Sequence, residues 1–360
     1  MNTIAEQKKR LEWLDAMRGF TMLLVVAHHI MSFTFRIHST TPYPEQTVML
    51  IFRMPLFFFV SGFLAYSART EWNARTLGQN LLKKTRIQLL PTLVFLMLFE
   101  AIIRKDFGAS FMKALSLPLK DGFWFTWALL LMFFAYYPFA YIEAKLKKWL
   151  PGMPSWLPIC MLWVIGFGMY LTHSFPKTFD YTTTWCKYTS IGQPIKFFVF
   201  FVTGNICRRY WTKAEHLFDS KWLFPLAMTA AIISCTDLTH WHVMQDNWKV
   251  FPRVFSVFSL LIIVISFFRH NAETLSKQTV VGRVMQYVGT RTLDIYLLHF
   301  FFLPNWPKLG KWIQETRPGA LVDIVITFAM AGLVIAISLF ASAVLRTSPV
   351  LRKYLFGQKQ

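Results

Sequence analysis

Long apolar segments recur along the whole sequence and constrain its fold more than any other feature. Each runs for roughly 20 residues, the length that an α-helix needs to cross the hydrocarbon core of a bilayer. Only 16% of the residues are charged, whereas 55% are hydrophobic and the mean hydropathy is positive. Soluble domains typically have about a quarter of their residues charged. The sequence therefore predicts an all-α, polytopic membrane protein.

We predict about ten transmembrane helices, joined by short loops into a single integral-membrane domain over residues 1–360. No low-complexity tract or polar linker interrupts the series of apolar segments. The predicted spans are residues 14–35, 47–67, 87–103, 123–143, 155–172, 191–207, 222–236, 251–268, 285–304 and 320–345.

Lysine and arginine are distributed unevenly between the predicted loops. With a cytoplasmic N-terminus, the loops on that side carry 22 of these residues and the opposite loops carry 11. Because cytoplasmic loops are enriched in basic residues, we predict that both termini are cytoplasmic. The net charge of +20 then marks a face that attracts anionic lipid of the bilayer, and it indicates no nucleic-acid partner.

Polar side chains inside the predicted spans are candidates for a functional site, because they are costly in a bilayer and usually face the protein interior. Arg18 and His29 are eleven residues apart in the first span, which corresponds to roughly 16 Å and three helical turns. They therefore share one helix face and are expected to open onto a common channel. His28 is rotated away from that face by about 80° and is the poorer candidate. The four cysteines lack metal-ligand spacing, and no metal site is predicted.

Five segments of the sequence occur in an order known from one family of membrane enzymes. The first contains Asp15, Arg18 and His29, with ten residues between the arginine and the histidine. The others are FRMPLFFFVSGFLAY (52–66), KKTRIQLLP (83–91), GFWFTWALL (122–130) and TLDIYLLHFFFLP (292–304). Together they resemble the acyltransferase 3 family of integral-membrane acyltransferases. The Phe-Arg-Met-Pro stretch in the second segment is reminiscent of members that succinylate periplasmic glucans.

The resemblance implies an O-acyltransferase of the bacterial inner membrane. Such an enzyme moves an acyl group, most often acetyl, from an acyl-CoA to a hydroxyl of a cell-envelope carbohydrate. The alternative from another functional class is a transporter or flippase of a polar envelope substrate, since intramembrane charges also line transport pathways. Paired, glycine- or proline-broken helices in two similar halves would favour transport, and the sequence has no such pairing.

The candidate catalytic residues are His29, Arg18, Arg53 and His299. His29 is the predicted general base, because a neutral imidazole can take the proton of an attacking hydroxyl. Arg53 would stabilise the oxyanion of the reaction or position an anionic acyl group, unless it only pairs with Asp323 or Glu100. His299 would orient the acceptor or polarise His29, unless it makes only a structural hydrogen bond.

The candidate binding residues divide between the two substrates. Arg18, Lys83 and Arg86 are predicted to bind the phosphates of acetyl-CoA or another acyl-CoA, or otherwise to anchor the cytoplasmic face. The predicted contacts to a glycan or other sugar-containing acceptor are Trp124, Glu100 and Tyr296.

Overall fold

The computed structural model describes residues 11–37, 44–105, 108–174, 183–239, 250–316 and 319–356, and these ranges contain helices and no strands. Two π-helical segments, Ile30–Thr34 and Thr85–Leu89, follow α1 and α3, and short 3₁₀ turns cover Lys120–Gly122 and His299–Phe302. The α-helices are α1 (Glu12–His29), α2 (Pro44–Ala65), α3 (Ala74–Lys84), α4 (Leu90–Ile102), α5 (Ala109–Ser116), α6 (Trp124–Trp149), α7 (Leu157–Ser174), α8 (Thr184–Thr189), α9 (Gly192–Arg209), α10 (Trp211–Phe218), α11 (Leu223–Thr239), α12 (Val250–His270), α13 (Val280–Thr290), α14 (Thr292–Leu298), α15 (Pro307–Thr316), α16 (Ala320–Leu345) and α17 (Pro349–Phe356).

Seven helical stretches within the described residues are long and apolar enough to cross a membrane. Two shorter apolar helices, Leu223–Cys235 and Thr292–Phe302, coincide with the seventh and ninth predicted spans. The prediction of an all-α, polytopic membrane protein is confirmed. The number of ten spans and the cytoplasmic position of both termini stay predictions. The seven stretches are Glu12–Thr34, Val48–Ala65, Ala74–Ile102, Trp124–Trp149, Leu157–Ser174, Val250–His270 and Ala320–Leu345.

The chain forms two compact units, and α2, α10, α12 and α16 each contribute residues to both. The first unit comprises residues 1–57, 212–244 and 251–339, and the second comprises residues 58–211, 245–250 and 340–360. The prediction of one integral-membrane domain stays a prediction.

In the first unit, α1 packs closely along α13 because glycines let the two backbones touch. A Cβ atom on Gly19 would collide with the carbonyl of Met285, and one on Gly289 would collide with the carbonyl of Asp15. Small residues commonly allow such close helix packing within membranes. This contact holds the start of α14, which follows α13 directly, against the first half of α1.

In the second unit, glycines also allow two helices to pack closely, where the end of α2 meets α9. A Cβ atom on Gly62 would collide with the backbone of Phe201, and one on Gly204 would collide with the backbone of Phe59. The side-chain amide of Asn205 also donates a hydrogen bond of 3.2 Å to the carbonyl of Gly62. The "SGF" glycine of the second matched segment therefore serves helix packing.

Candidate active site

His29 and His299 form a hydrogen-bonded pair in the first unit, although they are 270 residues apart in the chain. His29 Nδ1 lies 2.7 Å from His299 Nε2, and the rings are nearly parallel, with their centroids 4.9 Å apart. Both residues lie where a regular α-helix ends, since α1 changes into a π-helical segment after His29 and α14 into a 3₁₀ turn at His299. Short π-helical segments are frequent at functional sites.

The second nitrogen of each ring has a different environment. His299 is completely buried, and its Nδ1 lies 3.0 Å from the carbonyl oxygen of Ile295 in the preceding turn. Among the described residues, Nε2 of His29 has no hydrogen-bond partner. The pair therefore has one end tied to the backbone and one end available to a reacting group.

Aromatic rings surround this pair. The ring of Phe300 lies 4.9 Å from that of His29 and 4.0 Å from that of His299, and Phe33 lies 5.6 Å from His29. Tyr296 is buried, and its ring centroid is 6.1 Å from that of His299. Rings that exclude water strengthen electrostatic interactions inside a site. Tyr296 thus lies beside the pair, and its contact with an acceptor stays a prediction.

Arg53, in α2, brings a positive charge to the same site. It is close enough for its charge to act on the rings of both His28 and His29. Its Nε and Nη1 atoms are buried and have no hydrogen-bond partner among the described residues. The alternative pairing with Asp323 is not found in the part of the chain that the structure describes. Arg53 therefore has donors available for a ligand.

His28 lies beside this site, but its contacts differ from those of His29. Its Nε2 lies 3.3 Å from the hydroxyl of Ser32, while its Nδ1 is buried without a partner among the described residues. The ring centroids of His28 and His29 are 5.6 Å apart. His28 is therefore a neighbour of the site, but it lacks the hydrogen bond to a second histidine.

Arg18 is held by partners on two helices. Its Nη1 lies 3.2 Å from the carboxylate of Asp15, and its Nη2 donates to the hydroxyl of Thr292 over 3.3 Å. Its side chain is 24% exposed, whereas Asp15 is buried. Thr292 was not predicted as a site residue, although it begins the last matched segment. The channel shared by Arg18 and His29 stays a prediction.

Lys83 and Arg86 are exposed side chains of the second unit. Lys83 lies in the last turn of α3, and Arg86 lies in the π-helical segment Thr85–Leu89 that follows it. Their neighbour Lys84 differs from them, because its ammonium group lies 3.7 Å from the ring centroid of Phe133. Lys83 and Arg86 have no such ring contact in the part of the chain that the structure describes, and both remain predicted phosphate ligands.

The two other predicted substrate contacts, Trp124 and Glu100, also belong to the second unit. Trp124 is half-buried and stacks on Phe197, with ring centroids 5.9 Å apart and an angle of 20°. Glu100 is completely buried and accepts a hydrogen bond from Ser110, and it lies beside Asp121. These protein contacts favour a structural part for Glu100. The predicted acceptor contacts of both residues are untested.

The sequence did not single out Lys120, although it is the most enclosed lysine among the described residues of the second unit. Its side chain is 1% exposed, and its Nζ donates to four backbone carbonyls at 2.6 to 3.2 Å. Burial lowers the pKa of Lys120 to about 8. A signal was present, since Lys120 and Asp121 directly precede the fourth matched segment, which begins at Gly122. The acceptors are the carbonyls of Leu115, Leu117, Lys187 and Tyr188.

Comparison with known proteins yields one match. The model of the acyltransferase 3 family, described as an acyltransferase domain, matches residues 11–345. No curated protein and no solved structure was found to match the chain. Within the described ranges, no group of three or more His, Cys, Asp or Glu side chains could hold a metal ion.

Proposed function

The chain belongs to the acyltransferase 3 family and is a multi-pass membrane acyltransferase, and we propose that it acylates a hydroxyl of a cell-envelope carbohydrate in the bacterial inner membrane. The donor is an acyl-CoA, with acetyl-CoA as the first choice. The observation that carries this proposal is the unpaired Nε2 of His29, backed by a hydrogen bond from the ring to His299. An accessible, neutral imidazole nitrogen is what a general base for hydroxyl activation needs.

In this mechanism, His29 Nε2 takes the proton of the acceptor hydroxyl as the hydroxyl oxygen attacks the thioester carbonyl carbon. The carbonyl π electrons move to oxygen, and the resulting tetrahedral oxyanion is stabilised by the guanidinium group of Arg53. Collapse of this intermediate breaks the carbon–sulfur bond. The departing CoA sulfur receives the proton from His29, so the base is regenerated and the ester product is formed.

The donor would be held through its phosphates by arginine and lysine. Lys83 and Arg86 are exposed and suited to contact phosphate oxygens from the cytoplasm. Arg18 is oriented by Asp15 and Thr292, so its guanidinium group would meet a phosphate in a defined direction. For the acceptor, we propose a contact with Tyr296, which lies beside the histidine pair. Trp124, in the second unit, offers an aromatic face on which a sugar ring could stack.

A second donor is favoured by one specific observation. Two buried nitrogens of Arg53 have no partner among the residues that the structure describes, and a buried cation of this kind is costly until an anion neutralises it. The carboxylate of a dicarboxylic acyl group, such as succinyl, would supply that anion in the ground state. An acetyl group supplies negative charge only when the oxyanion forms. Arg53 would therefore bind the succinyl group already in the ground state, but it would stabilise the acetyl group only in the tetrahedral intermediate.

The proposal is tested with purified protein in detergent or nanodiscs, supplied with acetyl-CoA or succinyl-CoA and an envelope glycan fraction. Release of the CoA thiol and acylation of the glycan are measured together. His29→Ala should lower turnover by at least about 10²-fold, whereas the matched control His216→Ala, at an exposed histidine, should leave it unchanged. Full turnover by His29→Ala would refute the proposed base.

The two thioesters separate one donor from the other in this experiment, and the same protein reconstituted into sealed vesicles separates acylation from transport. Movement of an envelope substrate that needs no thioester would favour a transporter. A preference for succinyl-CoA that disappears in Arg53→Met would assign Arg53 to the acyl carboxylate. Equal loss with both donors would assign it to the oxyanion.

A further inference from the structure

The proton positions in the pair of His29 and His299 follow from the groups that they contact. A backbone carbonyl can only accept a hydrogen bond, so the Nδ1 atom of His299 that faces the Ile295 carbonyl at 3.0 Å carries the hydrogen. A neutral imidazole has one protonated and one unprotonated nitrogen. Nε2 of neutral His299 is therefore an acceptor.

This acceptor determines the proton position on the next ring. His29 Nδ1 lies 2.7 Å from His299 Nε2, and a hydrogen bond of that length requires a hydrogen between the two atoms. Because His299 Nε2 accepts, the hydrogen belongs to His29 Nδ1. The remaining nitrogen of His29, Nε2, is then unprotonated and has its lone pair available. In the opposite tautomer, His29 Nε2 would carry a hydrogen and could not act as a base.

We infer that His299 is the positioning residue that fixes the reactive tautomer of His29, with the Ile295 carbonyl as its anchor. This inference rests on the proposed function, in which His29 is the general base. His299 itself does not contact the reacting atoms in this arrangement. It orients the His29 ring, defines which nitrogen takes the acceptor proton, and continues to accept from Nδ1 once His29 is protonated.

The neighbouring histidine illustrates what this arrangement adds. His28 lies next to Arg53 as His29 does, but its only hydrogen bond among the described residues is to the hydroxyl of Ser32, at 3.3 Å. A hydroxyl can donate or accept, so it leaves the tautomer of His28 undefined. The tautomer of His29 is defined, in contrast. The Ile295 carbonyl can only accept, so it fixes the proton position on His299, and His299 in turn fixes the proton position on His29.

Two substitutions of His299 test the inference. His299→Leu removes the acceptor, whereas the side-chain oxygen of His299→Gln can reach the former Nε2 position and accept from His29 Nδ1. We expect His299→Leu to lower kcat by about 10²-fold or more, because a general base in the wrong tautomer is ineffective. The KM for the acyl-CoA should stay within about threefold of the wild-type value. His299→Gln should recover at least about tenfold in kcat over His299→Leu.

A spectroscopic measurement gives a second readout that needs no turnover. ¹⁵N NMR of protein labelled at histidine distinguishes the protonated from the unprotonated ring nitrogen, and the signal lost in His29→Ala identifies His29. We expect the wild-type protein to carry hydrogen on His29 Nδ1, and His299→Leu to show a mixture of tautomers. Hydrogen on His29 Nε2 in the wild-type protein would overturn the inference, even if the substituted proteins fold poorly.

The outcomes separate this inference from the proposed function. If His29→Ala is inactive while folded His299→Leu keeps kcat within about threefold of wild type, only the positioning role fails. Equal kcat in His299→Leu and His299→Gln would also reject it. If His29→Ala is itself fully active, the proposed base fails together with everything that depends on it.

Discussion

Arg53 of the first unit and Lys120 of the second unit are both enclosed cations, but their surroundings differ. Four backbone carbonyls accept hydrogen bonds from Lys120, so its ammonium group is fully engaged. Arg53 keeps two buried nitrogens without partners among the described residues. Buried polar groups are normally hydrogen-bonded, and an exception needs an explanation. The difference favours a structural role for Lys120, whereas it is consistent with the proposal that Arg53 meets an anion of the substrate.

The largest expected effect that tests this comparison is the loss of activity in Arg53→Met. Methionine has a similar length but no charge, so the oxyanion or acyl carboxylate loses its guanidinium partner. We expect turnover to fall by about 10²- to 10³-fold, the range for removal of one oxyanion-stabilising donor. The free energy of unfolding should be unchanged or higher, because an unpaired buried charge has been removed. Turnover assays and thermal unfolding of the same preparations measure both quantities.

A strong loss of stability in Arg53→Met would contradict the comparison, since it would mean that the guanidinium group supports the fold. Arg53→Lys is the matched control for charge. It keeps the positive charge but not the planar arrangement of donors, so partial activity is expected if charge alone contributes.

Lys120→Met should show the opposite pattern, with lower stability and unchanged chemistry. Within the described residues, the carbonyls of Leu115 and Tyr188 have Lys120 as their one recorded hydrogen-bond donor. Hydrogen bonds that involve a charged group contribute about 1.5 to 3 kcal/mol, and we expect a loss of that size in the free energy of unfolding. Turnover per folded molecule should match that of wild type. A fall in kcat without a fall in stability would place Lys120 in the reaction.

The sequence predicted Arg53 as a functional candidate because a charge inside an apolar segment is visible in the pattern alone. It could not predict the environment of Lys120, since two of the acceptor carbonyls lie 67 and 68 residues further along the chain. The helical membrane fold followed from segment length and hydropathy. The hydrogen bond between His29 and His299 did not, because it depends on ring orientation where α1 and α14 lose regular α-helical geometry.

A smaller effect is expected in the pH dependence of stability. Burial lowers the pKa of Lys120 to about 8, whereas the unfolded chain keeps this proton up to the ordinary lysine pKa of 10.5. Unfolding therefore takes up a proton between these pH values, and the contribution of Lys120 to the free energy of unfolding rises with pH in this window. The slope is at most about 1.4 kcal/mol per pH unit.

This slope is measured as the stability difference between the wild-type protein and Lys120→Met at several pH values from 7 to about 10.5. Subtracting the variant removes the titration of all other groups, which both proteins share. A difference that stays constant across the window would show that Lys120 keeps the same charge throughout it. In that case, the hydrogen bonds to the backbone carbonyls would stabilise the charged ammonium group enough to offset the effect of burial on its pKa.

The smallest expected effect concerns a paired charge that is not enclosed. Arg269 donates to both carboxylate oxygens of Asp219 at 2.8 and 2.7 Å, and these hydrogen bonds lower the pKa of Asp219. A lowered pKa contributes stability above the ordinary pKa of aspartate, and this contribution is lost as the pH falls through the folded value. Because the Asp219 side chain is 48% exposed, Asp219→Asn should cost only about 0.2 to 1 kcal/mol at pH 7, measured by thermal unfolding. If Asp219→Asn lowered the free energy of unfolding as much as Lys120→Met, the comparison would be contradicted. Hydrogen-bond partners would then stabilise the fold equally well for an exposed charge and for a buried one.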